Sequence, residues 1–133
     1  MKKILFATSE CVPFIKTGGL ADVAGSLPKY FDKARFDVRV VLPKYLCIPE
    51  PYRNQMEYIT HFYMYYNGRN RYVGILKLEY QGVLFYFIDN EEYFSGSTPY
   101  SDPLYDLEKF GFFSKAVLSI LPSIEFQPDI IHC

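Results

Sequence analysis

The chain has 133 residues, half of them apolar and 22% charged, and fourteen basic against fifteen acidic side chains give a net charge of −1. Those values describe one globular domain and argue against disorder. They supply no electrostatic reason for a nucleic-acid or membrane-surface partner, and no apolar run is long enough to span a bilayer.

Lys2, Lys3 and a brief apolar run open the chain, but Glu10 arrives before any cleavage signal, so the start reads as a strand rather than a signal peptide. Cys11, Cys47 and Cys133 are odd in number and share no short spacing. That argues against a disulfide framework and a zinc site, and a reduced cytoplasm fits best. Thirteen Tyr and twelve Phe point mainly to an aromatic core, with little left over for a sugar-stacking surface.

Residues 3–8 form a compact apolar run, the mark of a strand covered on both faces. A loop from Ser9 to Gly19 follows. Leu20, Val23, Ala24, Leu27 and Phe31 then recur at helical spacing, and Pro28 should kink or end that helix. Residues 37–42 make a second strand, stopped by Pro43. Strand, glycine loop, helix and strand compose a βαβ unit with parallel strands.

Prolines 43, 49 and 51 predict a loop, after which the chain turns β-rich. Phe62–Tyr66 is a strand ending at the hairpin signal Asn67-Gly68, although the polar Arg-Asn-Arg behind it suggests a longer loop. Residues 72–80 alternate, with Leu76, Leu78 and Tyr80 on one face. Gln81-Gly82 turns into Val83–Ile88, a central strand.

A polar loop runs from Ser95 to Pro103. The helix after it extends to Leu121, with Asp102 as N-cap, Pro103 at the first position and Leu107, Phe110, Phe113, Val117 and Leu121 as its buried stripe. The last strand is Ile130–His132. An apolar strand normally feeds a loop and a helix, so we read the sequence as a piece of a longer protein. The expected fold is a three-layer α/β sandwich with a Rossmann-like, mostly parallel sheet and an inserted antiparallel hairpin.

The informative loop is Phe14-Ile15-Lys16-Thr17-Gly18-Gly19-Leu20. It lies at the carboxyl end of a parallel sheet, where ligands of open α/β folds bind. Two glycines permit close backbone approach and positive φ, the next helix offers free N–H groups to an anion, and Lys16 adds a cation. Neither GxGxxG nor GxxxxGK[ST] is present, so the loop alone is equally an ordinary glycine turn with a solvated lysine.

The stretch SECVPFIKTGGLADVAG, Ser9 to Gly25, resembles the N-terminal signature of bacterial glycogen synthases and plant starch synthases. The resemblance continues through Leu27 and Pro28, Arg39 to Pro43, Tyr100 to Val117, and the closing Pro128-Asp-Ile-Ile-His-Cys133. It implies the N-terminal half of a two-domain GT-B enzyme, with residues 1–133 a truncated catalytic domain and the C-terminal nucleotide-binding domain absent. The implied reaction is retaining transfer of glucose from ADP-glucose to the non-reducing end of an α-1,4-glucan, with no metal and no cofactor. The missing C-terminal domain would be a partner, and this piece alone would be inactive.

The same resemblance implies roles for single residues. Lys16 would neutralise the sugar-nucleotide phosphates, with Thr17, Gly18 and Gly19 forming the substrate-binding loop around it. Asp22 would hydrogen-bond a sugar hydroxyl, unless it is only a first-turn carboxylate favoured by the helix dipole. Tyr100 matches a tyrosine of the sugar-nucleotide site, or is one more tyrosine among thirteen. His132 matches the first histidine of the family's closing segment, with a buried, backbone-satisfied histidine as the alternative. Glu10 either binds a sugar hydroxyl or caps local N–H groups. Two rivals remain: another hexosyltransferase or phosphorylase of the same architecture, and a non-catalytic α/β module binding a glucan or a phosphorylated metabolite.

Overall fold

The structure, a computed structural model, describes residues 1–133. Six strands form one sheet: β1 (Lys2–Ala7), β2 (Phe36–Pro43), β3 (Glu57–Tyr66), β4 (Arg69–Tyr80), β5 (Val83–Asp89) and β6 (Ile130–His132). Their spatial order is β3-β4-β5-β2-β1-β6. β5, β2, β1 and β6 run parallel, while the β3–β4 hairpin extends the β5 edge antiparallel. The helices are α1 (Gly19–Ser26), α2 (Glu50–Arg53), α3 (Glu91–Phe94) and α4 (Pro103–Ser119). The proline-rich and polar loops of the sequence thus each border a four-residue helix, too short to leave a periodic signal.

β1-α1-β2 and β5-α4-β6 step across the sheet in opposite directions. Right-handed crossovers therefore put α1 and α4 on opposite faces, which makes three layers. On the α1 face, Phe14 packs edge-on against Phe85 and Phe87 at 5.0 and 5.1 Å. On the α4 face, the Arg39 guanidinium lies 4.1 Å from the Phe126 ring centroid and donates to the Tyr86 hydroxyl at 2.7 Å. One continuous buried cluster joins the layers, from Leu5 in β1 to Phe126.

Both hairpin turns are tight two-residue turns. Asn67 and Gly68 have φ of 49° and 90°, and Tyr66 pairs directly with Arg69. The longer loop expected from the polar Arg69–Arg71 stretch is absent because those residues enter the ladder of β4. Gln81 and Gly82 repeat the geometry, joining Tyr80 to Val83.

Both long helices are rotated from their expected phase. In α1, Leu20 and Val23 are about half exposed, and Leu27 just past its end is exposed to a lesser degree, while Ala21, Ala24 and Gly25 are buried. The helix lies so close to the preceding loop that only small residues fit its inner face. The α ladder ends at Ser26 and a 3-10 turn, Leu27–Tyr30, carries Pro28. In α4, Asp102 accepts from the Leu104 N–H at 3.1 Å, as a cap should. Its buried face, however, is Lys109, Phe112, Phe113, Ala116 and Val117; Leu107 is 74% exposed, and Phe110 and Leu121 are partly covered. Phe112 sets this phase by packing among Tyr66, Tyr93 and Phe94.

Candidate functional site

β1 ends at Ala7 and delivers Thr8, Ser9 and Glu10 to the carboxyl edge of the sheet. Glu10 is 2% exposed and turned inward. One carboxylate oxygen accepts from the Thr17 N–H at 3.2 Å and from the Thr17 hydroxyl; the other accepts from the Ala21 N–H at 3.2 Å. Gly18, the N-cap of α1, has no side chain to do this, so a carboxylate eleven residues upstream caps the helix from inside the fold. Of the two readings open for Glu10, the geometry carries the capping one.

The glycines do not serve through positive φ. Gly18 is extended at φ −164°, and Gly19 begins the helix. A Cβ on Gly19 would meet nothing within 4 Å, and one on Gly18 only a Glu10 oxygen at 3.9 Å. Nothing inside this chain requires either residue to be glycine, and the space in front of them is open.

Beside that space Lys16 Nζ lies 2.8 Å from Asp22 Oδ2 and 3.0 Å from Oδ1, with both side chains about half exposed. An exposed pair of this kind is worth little to stability, so its two charges remain available to a ligand. Tyr100 closes another side: its hydroxyl is 2.6 Å from Ser9 Oγ. Burial pushes the Tyr100 phenol up, the Ser9 hydrogen bond opposes this, and the nearby Glu10 carboxylate adds to it. Lys16, Thr17, Gly18, Gly19, Asp22, Glu10 and Tyr100 therefore share one constellation.

His132 stands apart from it. It is exposed at the end of β6, in register with Phe6, and their rings are 4.3 Å apart. The buried, backbone-satisfied histidine weighed from the sequence is not what forms, and His132 makes no hydrogen bond to Lys16, Asp22 or Tyr100.

Sequence reasoning misses the supports behind Tyr100. The buried Tyr45 hydroxyl donates to the Ser9 carbonyl at 2.7 Å. Lys109, 3% exposed, donates to the Pro99 carbonyl at 2.5 Å and pairs with Asp106 at 3.2 Å. Asp106 in turn accepts from the Ser101 N–H at 2.9 Å and from its hydroxyl at 3.0 Å. A lysine three residues after an aspartate in an otherwise Phe-rich helix is the signal that marks this brace. Behind Tyr100 an apolar cleft of about 420 Å³ is lined by Ala7, Phe113, Val117 and Ile131, among others. Hydrocarbon walls suit packed side chains rather than a diphosphate, so the polar chemistry lies on the loop side.

A Rossmann-like sheet with helices on both faces, and an open glycine loop carrying an exposed lysine at its carboxyl edge, defines a three-layer α/β domain of the kind that binds ligands at that edge. Residues 3–133 match the starch synthase catalytic domain, and the chain belongs to that family. It is 65% identical over its full length to a glycogen synthase of Lachnospira eligens and 60% identical to one of Lachnoclostridium phytofermentans. It spans only 28% of the length of each. Among solved structures, the catalytic domain of starch synthase IV from Arabidopsis thaliana, bound to ADP and acarbose, superposes with a TM-score of 0.84 at 28% identity. That match covers 99% of this chain and 27% of the other.

Proposed function

We propose that residues 1–133 are the N-terminal portion of a retaining glucosyltransferase that moves glucose from ADP-glucose to the non-reducing end of an α-1,4-glucan. Membership of the starch synthase family, the names of the relatives and the ADP and acarbose bound by the plant enzyme support this reading. The observation that carries it is the loop itself. Glu10 satisfies the helix start from within, while Lys16 and Asp22 face outward beside two glycines that leave their space empty.

In this reading Lys16 exchanges Asp22 for the diphosphate and stabilises the charge that develops as it departs. Asp22, released, accepts from a sugar hydroxyl. Gly18 and Gly19 let the donor approach the backbone, Tyr100 borders the same site, and His132, packed on Phe6 at the end of β6, stands outside it. The remaining length of the relatives supplies the opposite wall, so residues 1–133 alone carry no transferase activity. The cytoplasm is the compartment, in keeping with three unpaired cysteines.

The test is transfer of radiolabelled glucose to glycogen by the full-length enzyme, with ADP-glucose and UDP-glucose compared. Robust transfer from ADP-glucose, lost in Lys16→Ala, is the expected result. No transfer from either donor overturns the enzyme reading, and a clear preference for UDP-glucose overturns the donor assignment.

A further inference from the structure

The β3–β4 hairpin carries an aromatic surface that the glucosyltransferase site does not use. His61 and Tyr72 are near-parallel rings at 5.3 Å, Tyr63 meets Tyr72 edge-on at 5.9 Å, and the Tyr58 hydroxyl bonds His61 Nδ1. Tyr63 is 64% exposed, and Tyr58 and His61 are exposed too. A register irregularity between Tyr58 and Thr60 brings Tyr58 onto the same face as His61.

This surface has been given room. A Cβ on Gly74, the register partner of His61, would come within 2.9 to 3.0 Å of the Tyr72 ring and hydroxyl and 3.1 Å of Asp89 Cβ. The missing side chain is what lets Tyr72 lie across the strand. Next to Tyr72 opens a polar recess of about 410 Å³, whose lining includes Asn70, Asp89, Asn90 and Glu91. The one cation there, Arg71, is tied to Glu92 at 2.8 Å.

Position ties the hairpin to the candidate site. Leu76 pairs with Phe87, which packs under Phe14 of the glycine loop, so by two-residue alternation Leu76, Gly74 and Tyr72 share the face that carries that loop. Gly74 pairs with Asp89, the last residue of β5, which puts the rings at the carboxyl end of the parallel sheet. Three interstrand steps separate β1 from β4, roughly 14 Å at the usual spacing.

The geometry points to a second glucan-binding surface on the β3–β4 hairpin, where Tyr58, His61, Tyr63 and Tyr72 stack on glucose rings and the Asn70–Asp89 recess accepts their hydroxyl protons. Charge complementarity selects this occupant. The recess is lined by carboxylates with its arginine already paired, which repels phosphates and nucleic acid but suits a neutral polyol. The inference rests on the glucan reading of the preceding section and deepens it: a long acceptor is held some 14 Å from the glycine loop while its end reacts.

The test is electrophoresis of the full-length enzyme through gels containing glycogen, with no sugar donor present. The wild type is expected to be retarded, and His61→Ala/Tyr63→Ala to weaken apparent affinity by roughly five- to tenfold, the scale of losing aromatic contacts. Tyr63→Trp keeps a stacking face and is expected to stay within about twofold of wild type. Should the double variant fail to fold, Tyr63→Ser alone serves, with a smaller loss. Retardation of the alanine variant equal to wild type overturns the inference, as does a wild type that glycogen does not retard. A changed mass by light scattering with unchanged glycogen affinity also overturns it and marks the face as an interface between protein chains. No step requires glucose transfer, so an enzyme that is retarded through these rings yet transfers nothing refutes the transferase reading and leaves this surface standing.

Discussion

The Glu10 carboxylate accepts from the Ala21 N–H at 3.2 Å, although the two are eleven positions apart and the whole glycine loop lies between them. The contact ties the end of β1 to the start of α1, and its second oxygen holds Thr17 in between. Glu10→Ala leaves buried backbone donors at a helix start without partners, a loss of about 1–3 kcal/mol. Glu10→Gln keeps one acceptor oxygen and loses less. Urea unfolding of the full-length enzyme checks this order, and equal midpoints for wild type and Glu10→Ala would remove the capping role.

Lys16 and Asp22 should behave in the opposite way. Their ion pair is half exposed, so breaking it changes stability by less than about 1 kcal/mol. Lys16→Ala in the full-length enzyme should nevertheless lower turnover by roughly ten- to a thousandfold, the scale of losing one charge-stabilising group. Asp22→Asn should reduce activity with the melting temperature unchanged. A large fall in melting temperature for Asp22→Asn would instead make that carboxylate a helix-dipole partner and no more.

The parallel core and its hairpin are legible in the sequence because their signals are local. Gly68 and Gly82 sit at positive φ, where turn chemistry demands them, and the runs beside them alternate. Helix phase is not legible in this way, because periodicity counts apolar residues without regard to size. Leu20 and Val23 read as core, yet α1 turns Ala21 and Ala24 inward because the loop at Val12 leaves no room for more. The candidate loop is visible as KTGG, but the inward turn of Glu10 and the brace from Lys109 to Pro99 depend on contacts that tertiary folding alone creates.

Gly25 tests that account of α1. A Cβ there would come 2.8 Å from the Val12 carbonyl oxygen and closer still to the Val12 side chain. The oxygen is backbone and cannot swing away, so Gly25→Ala should destabilise by about 1–3 kcal/mol despite alanine's better helix propensity. Leu20→Gln, on the outer face, should stay within about 0.5 kcal/mol. Thermal denaturation of the two variants decides the phase. If Leu20→Gln proves the costlier change, the helix is rotated from the orientation described above.

Asp106 and Lys109 supply the acid-sensitive part of the fold. Burial by itself raises the Asp106 carboxyl, but the Ser101 N–H and hydroxyl and the Lys109 ammonium outweigh it and hold the group below its ordinary 3.8. A carboxylate held low when folded stabilises fully above its unfolded value and loses that contribution as the pH falls through its folded one. The wild type should therefore shed this stability below about pH 3.8, and Asp106→Asn should show no such loss there. At neutral pH Asp106→Asn strands the buried Lys109 ammonium without its counter-charge, at about 3 kcal/mol. Asp106→Asn/Lys109→Met removes both charges and should recover much of that loss, since a matched apolar replacement is often neutral. If the double variant is as unstable as the single, relieving the stranded ammonium gains nothing, and the cost lies in the Ser101 hydrogen bonds to Asp106 that both variants weaken rather than in the ion pair.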